Sequence, residues 1–247
     1  MTLAWQAEGM PPPEVVRQLD DKQWATRIEG IKALGAQLEQ LPDGGKAPLI
    51  AELALSQLSK VAAAEKIVQV HVQMMELTRA VASTFPLIAR RTAARAVKCA
   101  VERLGVKQTK QPAFDALTAL AEACGPVWTL GQVRDAAKGH KNPKVVLDAL
   151  QWAKASLETF GVPAPTEPLT FALAVAESRD SAVREAALQL MVAVRLAVGP
   201  ATLVPGYDGT HWPPPRPRAH QPWARCDPHA HQPWAPCHNP SGRARPT

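Results

Sequence analysis

Cysteine is scarce in this sequence, with four in 247 residues. Cys99 and Cys124 fall inside helical patterns, while Cys226 and Cys237 lie near the C-terminus. That is no disulfide framework, and it points to a reducing compartment. Aromatic residues are also few, at 5%. Ala, Leu and Val supply most of the apolar side chains, a mixture that suits helices better than sheets. No apolar run approaches the ~18 residues of a membrane span. The opening residues, MTLAWQAEGMPPP, have neither the basic nor the apolar region of a signal peptide. A P-loop, a GxGxxG and a Ser-His-Asp arrangement are all missing. Of the seven His, only His71 and His140 precede residue 200. A lone helical His such as His71 reads as a satisfied structural residue, and Asp20, Asp21 and Asp180 read as turn and cap residues. The sequence therefore offers nothing that reads as an enzyme.

What remains is enough for one domain and a tail. Hydrophobic residues make up 46%, so a sizeable core can form. Many of the 24 prolines lie beyond Gly199, and before it Pro mostly separates helical patterns. The net charge is +6, half of it from the five Arg and two Asp of residues 201–247. A mildly basic chain meets acidic partners, but a body this weakly charged must act through local placement.

The body reads as paired helices. One helix covers Pro13 to Leu19, and after DDKQ a second carries Trp24, Ile28, Ile31, Leu34 and Leu38 at three- and four-residue spacing. The pattern recurs: Leu49 to Val61 with Val68 to Val81, and Arg91 to Leu104 with Ala113 to Ala123, the latter two separated by a turn GVKQTKQP. Leu130 to Ala137 with Val145 to Phe160 follows, then Leu169 to Ala176 with Val183 to Val198. The turns inside the pairs fall near residues 22, 65, 108, 141 and 179, a period of roughly 35–45 residues. Such pairs stack into an all-α HEAT-repeat solenoid of about five helix pairs, with the intra-pair turns on one edge. Basic residues recur there: Lys22, with Trp24 beside it, then Lys66, Lys107 and Lys110, then His140, Lys141 and Lys144, then Arg179 and Arg184. A ridge of aligned turns is a binding surface.

At these residues the sequence resembles a known family. LDDKQWATRIEGIKAL resembles the opening of a TOG domain, where a Trp in the first turn is followed by an Arg three residues on. ALTALAEACGPVWTLGQV with KNPKVVLDALQWAKASLETFG resembles the fourth repeat of the second TOG domain in the microtubule-polymerase family. AVREAALQLMVAVRLAVGP resembles its fifth repeat. The second-repeat turn, AAAEKIVQV, lacks the Asn usual there. The resemblance implies a domain over 14–204 that binds an αβ-tubulin dimer along the ridge, within a regulator of microtubule growth and spindle organisation. It further implies a location in the cytoplasm at microtubule plus ends, the spindle and the microtubule-organising centre. The contact residues it implies are Trp24, Arg27, Lys66, Lys107, Lys110, Lys141, Asn142, Lys144 and Arg184. Trp24 would face β-tubulin and Arg184 the α-tubulin end. No cofactor, nucleic acid or membrane is implied, and a monomer is expected. The family usually has six repeats; the sixth is expected to be missing or truncated here.

Residues 205–247 read as a disordered tail rich in Pro, His and Trp, with AHQPWA at 219–224 and again at 230–235. Cys226, His229, Cys237 and His238 do not have the spacing of a zinc finger, so no metal is expected.

Overall fold

The computed structural model describes residues 12–40, 47–85 and 88–199. The expected tail, with its repeat and its Cys and His residues, lies outside them. The described residues form ten α-helices and no strand. They run α1 Pro13–Leu19, α2 Trp24–Glu39, α3 Ala47–Ala64, α4 Val68–Thr84, α5 Arg90–Leu104, α6 Lys107–Cys124, α7 Pro126–Ala137, α8 Pro143–Phe160, α9 Thr166–Val175 and α10 Ser181–Val198. The fold is an all-α HEAT-type solenoid of five helix pairs among the described residues. The first helices of successive pairs pack as one layer, α3 on α5 on α7 on α9, and the second helices as another, α2 on α4 on α6 and α8 on α10.

Local chemistry sets the boundaries. Pro13, Pro126 and Pro143 occupy first helical positions, where a missing N–H costs nothing. Asn142 and Asp180 cap α8 and α10 with side-chain oxygens on backbone amides. Between the layers, the Leu, Val, Ile and Ala of the three-to-four spacing form one continuous core, with Leu34, Leu55, Leu117, Leu120 and Leu190 fully buried. Trp152 is buried among them, its indole N–H donating to Thr118 Oγ1 at 3.3 Å.

One segment departs from the sequence expectation. Residues 107–112 are not a turn: α6 begins at Lys107 and carries Pro112 in its interior. The turn inside the third pair is only Gly105 and Val106. Thr109 explains the early start. It is buried, and its hydroxyl donates to the carbonyls of Arg103 at 2.6 Å and Val106 at 3.3 Å. That ties the new helix to the last turn of α5. Buried Ala113, Ala116, Leu117 and Leu120 then hold α6 against α4 and α5 despite the proline.

Candidate protein-docking ridge

The five intra-pair turns are residues 20–23, 65–67, 105–106, 138–142 and 176–180. Each leads into the second helix of its pair, and in three of the five the side chain at that helix's fourth position has the same task. In α2 it is Arg27, whose Nη1 donates to the carbonyls six and five residues back, Asp21 at 2.8 Å and Lys22 at 3.0 Å. In α10 it is Arg184, which does the same to Ser178 at 2.8 Å and Arg179 at 3.1 Å. In α4 it is buried His71, whose Nε2 lies 3.2 Å from the Glu65 carbonyl, again six back. A carbonyl only accepts, so Nε2 carries the proton. Burial and the nearby Arg103 charge hold the His71 pKa below its ordinary value, which keeps the ring neutral. The helix start thus satisfies carbonyls the turn leaves open.

Neighbouring turns are also tied to each other. Arg27 makes a two-pronged pair with Glu65 of the second turn, Nε to Oε2 at 2.7 Å and Nη2 to Oε1 at 3.0 Å. Glu65 Oε1 also accepts the amides of Lys66 and Ile67, at 2.7 and 2.8 Å. Burial alone would raise the Glu65 pKa, but the Arg27 fork and the two amides outweigh it and hold it below its ordinary value. Lys110, at the fourth position of α6, likewise donates to Asp148 of α8 at 2.7 Å and to Gln151 at 2.8 Å. Both ion pairs span 38 residues, one repeat. Gly105 completes the join of third and fourth turns: a Cβ there would lie 2.7 Å from Val145 Cγ2 and 3.2 Å from Asn142 Nδ2. Only a residue without a side chain permits that approach.

The nine residues implied by the resemblance therefore fall into two groups. Trp24, Lys66, Lys107, Lys141 and Lys144 are exposed. Trp24, at the first position of α2, is 48% exposed. None of the four lysines is ion-paired to an acid among the described residues, and the same holds for exposed Lys22 and Arg179. The second group is engaged within the fold: Arg27 with Glu65, Lys110 with Asp148, Asn142 as the cap of α8, and Arg184, though exposed, with two carbonyls. Glu65, Asp148, Gln151 and Thr109 were not among the sequence candidates. A carboxylate on the apolar face Val145, Val146, Ala149, Leu150 was the available signal for Asp148.

Trp24 and these unpaired cations thus all lie in or beside the intra-pair turns. The family model for the XMAP215/Dis1/CLASP TOG domain matches residues 14–206 of this chain. The chain belongs to the TOG-domain family. Its similarity to Protein MOR1 of Arabidopsis thaliana is 31% identity over 192 residues, 76% of this chain and 10% of that protein. To Protein mini spindles of Drosophila melanogaster it is 26% over 203 residues, 80% of this chain and again 10% of the relative. The TOG chain thus spans about a tenth of the length of these relatives. Among solved structures, Drosophila melanogaster Mini spindles TOG3 matches with a TM-score of 0.70 at 26% identity, covering 78% of this chain and 85% of that one. The MAST/Orbit N-terminal domain shares the fold, with a TM-score of 0.62 at 17% identity over 76% of this chain and 84% of that one.

Proposed function

We propose that the ridge binds the αβ-tubulin dimer, and that this TOG domain serves a regulator of microtubule dynamics and spindle organisation at microtubule plus ends. The observation that carries the reading is the exposed Trp24 at the head of unpaired Lys22, Lys66, Lys107, Lys141 and Lys144, all on or beside the intra-pair turns. Cations spaced along an edge steer an acidic partner and fix its register. A half-exposed tryptophan offers the apolar area that interface hot spots use. Arg27, Lys110, Asn142 and Arg184 hold the turns in place for these contacts, and Arg184 leaves its exposed remainder to the far end of the ridge.

Co-elution with purified tubulin on size exclusion tests the reading. Wild-type chain should shift into the tubulin peak. Trp24→Ala should weaken binding by at least ~2 kcal/mol, as loss of a hot spot does, with helicity and thermal midpoint unchanged. Undiminished binding by the variant would remove Trp24 from the interface, and absence of any shift for wild type would remove tubulin as the partner.

A further inference from the structure

A second cationic surface lies away from the turns, on the layer of first helices. α5 carries Arg91, Arg95 and Lys98 at four- and three-residue spacing, hence on one face, and all three are exposed. None is ion-paired to an acid among the described residues. Between this face and α7 runs a groove of about 820 Å³, bounded by Arg95, Lys98 and Glu102 on one side and by Asp135 and Lys141 on the other. Ala94, Ala136 and Gly139 also line it, and a Cβ placed on Gly139 would meet nothing within 4 Å. The groove is therefore open, with room for a backbone.

Of its two carboxylates, Asp135 is already engaged and Glu102 only loosely paired. Asp135 accepts from Lys138 at 2.8 Å and Arg134 at 3.2 Å, and these bonds, Lys138 first, hold its pKa below the ordinary value. Glu102 lies 4.0 Å from Arg103. Arg95, Lys98 and Lys141 are left without an acidic partner, facing one channel.

We propose that this groove binds a carboxylate-rich peptide strand, entering at Lys141 of the fourth turn and running along α5 past Lys98 and Arg95. Spaced cations over small residues fit carboxylates carried on an extended backbone. A nucleic-acid strand fits poorly. No Phe, Tyr or Trp lines the groove to stack a base, and the imidazole of His140 is the one ring there. The groove shares Lys141 with the ridge, but Arg95 and Lys98, which the test removes, lie outside the turns, so the proposal is tested separately from the ridge reading.

The test is fluorescence anisotropy of a labelled decaglutamate peptide titrated with the full chain, at two salt concentrations. Saturable binding that weakens with salt is expected. Arg95→Ala/Lys98→Ala should weaken it at least fivefold with unchanged circular dichroism, while Trp24→Ala and a distant two-charge control, Lys60→Ala/Arg79→Ala, stay within twofold. Equal loss in the control would show attraction by net charge alone and overturn the groove. So would wild-type affinity in Arg95→Ala/Lys98→Ala. If an oligodeoxynucleotide of equal charge displaces the peptide more effectively than unlabelled peptide does, the surface is a nucleic-acid site and the proposal fails.

Discussion

Arg27 shows why residue type alone does not identify a contact. In the sequence it is one more cation beside a turn, three residues after an exposed Trp. In the fold its guanidinium is nearly enclosed, 14% exposed, with a fork on Glu65 and a further nitrogen on two carbonyls. Lys110 is similarly committed to Asp148. Both acids sit one repeat away, and a single sequence gives no reason to join residues 38 apart. The positions of cations on the ridge were legible; their engagement was not, because engagement depends on how the repeats stack. Arg27→Ala should cost about 1.5–3 kcal/mol, the range for hydrogen bonds to a charged group. Glu65 keeps its two amide donors, so the loss should not be larger. Urea unfolding would read this directly, against Trp24→Ala as a variant whose midpoint stays put. A midpoint unchanged in Arg27→Ala would mean the fork contributes nothing and the side chain is available to a partner after all.

At the scale of elements, the pairing of helices follows from apolar spacing, and most boundaries read from the sequence fall within a few residues of those observed. The exceptions have local causes. α7 starts at Pro126 and not near Leu130, because Gly125, at φ 95°, ends α6 and Pro126 can begin a helix at once. α6 starts ahead of Pro112 because buried Thr109 closes the carbonyls behind it, a bond between turns that no periodicity reveals. Pro112 leaves the Gln108 carbonyl without its helical amide. Pro112→Ala restores that donor at a position already helical, and adds some freedom to the unfolded chain. The net should be a gain of about 2 kcal/mol, the helix-interior penalty of proline less its unfolded-state benefit. A rise in thermal midpoint with an unchanged circular dichroism spectrum is the expected result. A fall would mean the ring itself packs usefully between α4 and α6, beside Glu76 and Arg79.

At the scale of the whole molecule, the two ends of the stack differ from its middle. In the second-helix layer α4 has α2 on one side and α6 on the other, so its apolar residues are covered. α10 packs chiefly on α8 and α9 among the described helices. Val183, Ala187, Leu190, Val194 and Val198 fill that face. The other face carries Leu188, Val192 and Leu196 at four-residue spacing, exposed by 55%, 55% and 79%. Leu173 of α9, at 65%, adds to them, so four of the five large exposed hydrophobics among the described residues belong to the last pair. A stripe of this kind promotes association, and an element buried on one side only opens at lower free energy than one buried on two. Hydrogen exchange should therefore show α9 and α10 opening before α4 and α6, and sedimentation should show association that grows with concentration. Leu188→Gln/Leu196→Lys should suppress the association while leaving the unfolding midpoint almost unchanged, since exposed side chains contribute little to the core. Protection in α10 equal to that in α6, together with a monomer at every concentration, would require that residues beyond Gly199 cover the stripe. The same double substitution would then destabilise the fold, so the two outcomes are distinguished by one variant.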